Sequence, residues 1–424
     1  MRRRAAVVGL LPLALLLPAC GAPTTPGPAA SAPVTTAAPA PVPTAPTTST
    51  SAAPSATPSG GGSTAPEAEH AQRQPGTCAA VVAGMSLSEQ VGQTIMVAQS
   101  STTPSAAGRD AVRRLHLGSV VLLGNSTEGH RRTADLTGDL RDGVGKVDGV
   151  GLLVAADQEG GLVQRLKGPG FDTIPRASTQ AGWSDATLRK RAKTWSEQLG
   201  RAGVDLNLAP VADVVPSSVG NANEPIGALH RGFGPQPAVV ARKSVAVLEG
   251  MHDGGTATAV KHFPGLGRVR GNTDTRATVV DATTTRDDAL LAGFRADVEH
   301  GTELVMLSSA TYRRIDAKRP ATYSPTVIEG MLRGDLGFRG VVVSDDLLGR
   351  ALASTSVRSR GVRFLEAGGD LALVGSTSAA AQVHDGLLER ARSDRAFRAR
   401  VEQSATRVVA MKSGQDLVSC RVTG

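Results

Sequence analysis

Eight short runs of Val, Leu, Ile and Ala recur along residues 91–374, and the segments between them are amphipathic. The runs are VGQTIMV (91–97), GSVVLL (118–123), GLLVAAD (151–157), GVDLNLAP (203–210), TATAVKH (256–262), TELVMLSS (302–309), GVVVSDD (340–346) and GDLALV (369–374). Most are continuous rather than alternating, as expected of parallel strands buried on both faces. The intervening stretches DATLRKRAKTWSEQLGRAG (185–203) and QPAVVARKSVAVLEGMHDGG (236–255) read as helices ended by glycine. Eight strand–helix units predict an α/β fold, a (β/α)8 TIM-type barrel, occupying residues 78–424 as one domain. A doubly wound open sheet is the competitor, but no glycine-rich phosphate fingerprint follows the first strand.

The segment ahead of this body has a different character. MRRRAAVVGLLPLALLLPAC opens with three arginines and an apolar run of signal-peptide length, too short for a comfortable membrane span. It ends in Leu17-Pro18-Ala19-Cys20, which resembles a bacterial lipobox with an unusual proline. Residues 1–19 are therefore expected to be a lipoprotein signal peptide and Cys20 the lipidated residue. Residues 20–70, rich in Ala, Pro, Thr and Ser, are expected to form a disordered tether, because they lack the apolar surface that offsets ordering entropy. These features predict an exported protein, lipid-anchored on the outer face of the cell membrane. Export permits disulfides, so Cys78 and Cys420, at opposite ends of the body, are expected to pair where a closed barrel brings its termini together. No Cys/His cluster suggests a metal site. The formal charge of +8 falls to +5 without the signal arginines, and aromatic residues make up 3% of the chain. That composition gives no nucleic-acid surface.

A barrel places its chemistry at the C-terminal ends of the strands. Here those exits are ionisable: Asp157 after the third run, Asp213 after the fourth, Lys261 and His262 at the fifth, Asp345 and Asp346 at the seventh. One such aspartate is an ordinary helix cap, whereas four exits on one face describe a pocket.

Five motifs then carry a resemblance. DQEGGLVQRL, GVDLNLAPVADV, HRGFG, KHFPGLG and GFRGVVVSDDL, in this order and each beside an expected strand, resemble the β-N-acetylglucosaminidases of glycoside hydrolase family 3, in their single-barrel branch. The resemblance implies a retaining exo-glycosidase acting on GlcNAc-containing cell-wall fragments without a cofactor or metal, as a monomer. Asp345 matches the family nucleophile. Asp157, Arg165, Arg231, Lys261 and His262 match residues that hold the sugar through charge-assisted hydrogen bonds. Glu159, Asp205 and Asp213 are expected to be supporting residues, and Asp346 to brace the following helix.

One loop departs from the family. After KHFPG(H/L)G the family carries Asp-Ser-His, whose histidine is the acid/base; here residues 271–276 read Gly-Asn-Thr-Asp-Thr-Arg. Aligned without a gap, Asp274 replaces the histidine and Asn272 the aspartate. With a two-residue insertion, Arg276 replaces the histidine, and arginine cannot shuttle a proton near neutral pH. Asp274 is thus the candidate acid/base. A sugar-binding lipoprotein with a degenerate loop and a phosphate-using glycosidase are the alternatives.

Overall fold

The computed structural model describes residues 75–420; the expected signal peptide, Cys20 and the tether lie outside the described residues. The barrel strands are β1 (Ile95–Ser100), β2 (Ser119–Leu123), β3 (Leu153–Ala156), β4 (Leu206–Asn207), β5 (Ala257–Phe263), β6 (Leu304–Leu307), β7 (Val341–Ser344) and β8 (Ala372–Val374). They lie side by side in the order β7-β6-β5-β4-β3-β2-β1-β8. Every pairing is parallel, and a bridge between Val343 and Leu371 brings β7 against β8 and nearly closes the ring. The protein is an α/β barrel of the TIM type.

All eight apolar runs form strands, but the first begins later than its sequence suggests. Ser86 and Glu89 cap each other's backbone and start a helix over Leu87–Gln93, which takes the front of the 91–97 run. The two long amphipathic stretches form the helices Asp185–Arg201 and Pro237–Asp253.

The strands are apolar throughout because both of their faces are covered. Met96, Val121, Leu153, Ala155, Leu304, Met306, Val341 and Val343 meet in one cluster that fills the barrel. Their neighbours Val97, Val120, Val154, Val305 and Val342 belong to another, shared with helix residues such as Leu188, Val240 and Phe364. Alternate residues therefore serve alternate layers, the period-two rule of a strand in a fully buried sheet.

The ends of the described chain are tied together. Cys78, on the helix Pro75–Gly84, is bonded to Cys420, with 4.9 Å between their Cα atoms and a sequence separation of 342. The last helix, Arg395–Ser413, also sends Lys412 into the base of the barrel, where it is fully buried. Its ammonium donates to Gln93 Oε1 at 2.7 Å and to the carbonyls of Gly118 and Gly151 at 2.6 and 3.2 Å, just ahead of β1, β2 and β3. No carboxylate pairs with it among the described residues, and burial pushes its pKa down to about 7, with Asp205 opposing only weakly.

This lysine gives stability a defined pH dependence. Its folded pKa lies below the ordinary value of 10.5. Between pH 7 and 10 the unfolded chain therefore holds the proton more firmly, and folding gains as pH rises. Chemical denaturation of wild type and Lys412→Met should diverge across that range, the wild type gaining up to about 1.4 kcal/mol per pH unit relative to the variant. Parallel pH profiles of the two proteins would show that Lys412 is not the titrating group.

Candidate active site

The strand exits on the C-terminal face converge. β3 runs into Asp157 and then a small hairpin, Gln158–Gly160 against Val163–Gln164, which returns the backbone so that Arg165 donates its amide to the Asp157 carbonyl at 3.1 Å. Gly161 forms the tip at φ 57°, packed so closely on Arg176 that a side chain there would be strained. Two residues after Asp157, Glu159 emerges on the same side of the pocket floor.

β5 supplies the opposing cations. Its register against β6 shifts between Lys261 and Phe263, and a bulge of this kind re-aims adjacent side chains that regular alternation would send apart. The Lys261–His262 and Phe263–Pro264 peptides are both cis. Lys261 places its ammonium 2.6 Å from Asp157 and 2.7 Å from Glu159. Arg231 closes the other side of Glu159 as a fork, with Nε 2.9 Å and Nη2 2.7 Å from the two carboxylate oxygens. Burial alone would raise the Glu159 carboxyl, but the charges of Arg231 and Lys261 win and hold it far below the usual range. Burial likewise works against the Lys261 charge, and Asp157 and Glu159 reverse it, raising its pKa. The floor is therefore a permanently charged, mutually neutralising cluster.

His262 turns to Asp213, which is fully buried and accepts from Nδ1 at 2.7 Å. Asp213 also accepts the Leu266 amide at 2.6 Å, so one carboxylate positions both the imidazole and the start of the glycine-rich loop. A proton held on Nδ1 leaves Nε2, 3.5 Å from Arg231 Nη2, facing the pocket. Gly267 is required a few residues on, because a Cβ there would collide with the Val214 carbonyl. Arg165 is half-buried, and its Nε is enclosed without a hydrogen-bond partner.

The two acids of interest meet above this floor. Asp345 follows β7 and accepts the Asp346 amide on Oδ1 at 2.8 Å. Asp346 faces away and joins two strand exits, accepting from Leu348 and Gly375 amides at 2.9 Å each. Asp274 sits on the loop after β5, where Asn272 Oδ1 accepts its amide at 2.9 Å and its carbonyl accepts from Arg350 at 3.2 Å. Arg276 is drawn off to Glu224 at 2.7 Å, outside the pocket. This is the arrangement of the gapless alignment, with Asn272 steadying the loop and Asp274 over the pocket.

Both carboxyls are raised. For Asp345 the leading cause is burial and the second the charge of Asp274; His262 and Lys261 oppose. Asp274 keeps an exposed edge, yet the walls of the mouth exclude enough water to raise it, with His262 opposing and Asp346 adding. Two such groups titrate as a pair and retain one proton to higher pH than separate carboxylates do. The arrangement thus offers two carboxyls of raised proton affinity over a floor rich in hydrogen-bonding charge. Among the described residues no group of three or more His, Cys, Asp and Glu is placed to hold a metal ion.

Sequence patterns had placed Glu159 and Asp213 only as supporting residues. In the structure Glu159 is the centre of the floor, and Asp213 is the partner that aims His262. Asp205 lies at the start of β4, where it holds Arg141 at 2.8 Å and the Val154 amide.

A barrel with acids at its C-terminal face suits a glycoside hydrolase, and comparison with known proteins identifies that enzyme class. Residues 86–411 match the model of the glycosyl hydrolase family 3 N terminal domain, and the chain belongs to that family. It is 33% identical over 294 residues to a β-hexosaminidase of Stenotrophomonas maltophilia (strain K279a), covering 66% of this chain and 82% of that protein. Among solved structures, a β-N-acetylhexosaminidase from Beutenbergia cavernae DSM 12333 superposes with TM-score 0.77 at 43% identity, over 78% of this chain and 99% of that one. A family 3 β-N-acetylglucosaminidase from Paenibacillus sp. str. FPU-7 gives TM-score 0.73 at 30% identity, over 80% and 65%.

The electrostatic pairing can be read without turnover. In Asp274→Asn protein the charge that raises Asp345 is gone. The upper of the pair's two titration steps should disappear, and Asp345 should titrate below it by carboxyl NMR. An unchanged titration would separate the two groups.

Proposed function

We propose that this chain is a retaining exo-β-N-acetylglucosaminidase that removes terminal GlcNAc from cell-wall, peptidoglycan-type fragments. The names of its relatives support the sugar. The observation that carries the chemistry is the two carboxyls Asp345 and Asp274, both raised by burial and the first also by the charge of the second, set over the Asp157–Lys261–Glu159–Arg231 floor.

In this reading the floor, with Arg165 and His262, binds the hydroxyls of the terminal sugar. Asp345 attacks the anomeric carbon and forms a glycosyl ester while the bond to the aglycone breaks. Asp274 gives its proton to the departing oxygen. It then accepts a proton from water, whose oxygen attacks the anomeric carbon and frees Asp345. Water suits this site better than phosphate, because an ionised Asp274 repels an anionic acceptor. A sugar-binding protein that had lost catalysis would have no use for two acids held at raised pKa. Cys20 would anchor the enzyme outside the membrane through a lipid.

Two outcomes test this. Asp274→Ala should cost about 10²–10⁴-fold on a poor leaving group such as a disaccharide and much less on an activated aryl glycoside. Azide, which needs no general base, should restore turnover of the aryl substrate as the glycosyl azide; an equal, slight loss on both substrates would assign the proton to another group. Separately, Cys20→Ser should move the protein from the membrane fraction to the soluble fraction, and continued membrane association would refute the lipid anchor.

A further inference from the structure

The loop that carries Asp274 has two anchors, and one of them is a residue that neither the floor nor the paired acids use. After the nucleophile, the amides of Arg350 and Ala351 donate to the carbonyls of Asp274 and Thr273 at 3.2 and 3.0 Å. The second anchor is Glu224, on the connection between β4 and the helix Pro237–Asp253. Its amide donates to the Arg270 carbonyl at 3.2 Å. Its carboxylate divides between two residues of the loop: Oε2 accepts the Asn272 amide at 3.0 Å, and Oε1 accepts from Arg276 Nη2 at 2.7 Å. Asp274 lies midway in sequence between the two residues so held. The Arg276 stem passes close over Gly271, where a Cβ would lie 3.0 Å from Arg276 Cγ.

The neighbours of Glu224 join this clasp to the floor. Asn223 is fully buried and donates from Nδ2 to the Leu266 and Val269 carbonyls at 2.7 Å each, while its Oδ1 accepts the Ile226 and Gly227 amides at 3.0 and 2.8 Å. On the other flank the Pro225 carbonyl accepts from Arg231 Nη1 at 2.9 Å, and Arg231 is the guanidinium that forks Glu159. Residues 223–225 thus touch the start of the loop, its tip and the floor. The Glu224 carboxyl is held below its usual range by Arg276 first and the Asn272 amide next, the opposite direction from Asp274. An ionised acceptor makes the stronger bond to a backbone amide.

We propose that Glu224 is a positioning residue for proton transfer, fixing Asp274 over the floor by holding Asn272 and Arg276 to the segment that also holds Arg231. The inference rests on the reading of Asp274 as the acid and adds to it the group that sets the acid's place. Glu224 touches neither the sugar nor the bond that breaks; its effect passes through the loop backbone. The exposed pair with Arg276 is the weaker half of the clasp, because surface charge pairs contribute little. The stronger half is the bond to the Asn272 amide, since the side chain of that same Asn272 accepts the Asp274 amide at 2.9 Å. A misplacement of about 1 Å is enough to slow a catalysed step by about 10²-fold.

The test takes Glu224→Ala, Glu224→Gln and Arg276→Ala, each assayed by kcat/KM on a GlcNAc disaccharide and on an activated aryl glycosaminide. Glu224→Ala should lose about 10–100-fold on the disaccharide and far less on the aryl substrate, since only the poor leaving group needs a well-placed proton. Glutamine keeps an acceptor for the Asn272 amide and should recover all but about fivefold; Arg276→Ala, which removes only the exposed pair, should also cost no more than about fivefold. Adding Glu224→Ala to Asp274→Ala should cost nothing further, because the acid being positioned is already gone. Equal losses on both substrates, or a further full loss in the double variant, would assign Glu224 to the fold and overturn the proposal. Amide hydrogen exchange judges the clasp without turnover: Asn272 should exchange faster in Glu224→Ala and close to the wild-type rate in Glu224→Gln, and unchanged exchange in the alanine variant ends the proposal. A disaccharide rate lost in Asp274→Ala but kept in Glu224→Ala overturns this inference alone. A rate kept in Asp274→Ala removes the acid assigned under the proposed function and this inference with it.

Discussion

The site is organised around a buried carboxylate, Glu159, clasped by a lysine and an arginine. A charge this deep is tolerated only when its partners are close and well aimed, and here both are within 2.7 Å. That requirement reaches across the molecule. Lys261 must come from β5, Arg231 from the connection after β4, and Glu159 from the hairpin after β3, so three separate βα units have to be in register before the charges balance. Once they are, Asp157 and Lys261 are fixed in place. The positive side of the cluster also faces Asp345 and favours its ionised form.

A division of labour follows among the acids. Glu159 and Asp213 are saturated by their neighbours and act on those neighbours: one anchors Arg231 and Lys261, the other aims His262. Asp346 is saturated by backbone amides and links β7 to β8. Asp345 and Asp274 are left without an ion-pair partner and with raised affinity for a proton; Asp346 is raised by burial too, but one of its oxygens is held by two backbone amides. Chemistry falls to the unsaturated groups and architecture to the saturated ones, although all five are acidic residues on one face of one barrel.

This division explains what could be read from the chain. Eight buried parallel strands announce themselves as apolar runs, because both faces demand the same kind of residue. The front of the first run misleads, since Val91 serves a helix as well as it would a strand and the decision lies upstream in the Ser86–Glu89 cap. Acidic exits are visible too, but their roles are set by partners distant in sequence. Arg231 lies 72 residues from Glu159, and His262 lies 49 from Asp213. The substituted loop is the sharpest case. Arg276 lies outside the pocket, in an ion pair with Glu224, which is 52 residues away and which no local alignment contains.

The bond between Cys78 and Cys420 gives the described body a different topology from its sequence. With its two cysteines 342 positions apart in sequence and bonded, the described barrel is covalently a ring. Each substrate-facing loop is then an arc of that ring rather than a link in a line. A protease that cuts one arc opens the ring without releasing a piece, and the two sides of the cut stay joined through sulfur at the far end of the barrel. Damage to a loop on the barrel's C-terminal face then becomes a local event. Separating the halves takes a second cut or a reductant.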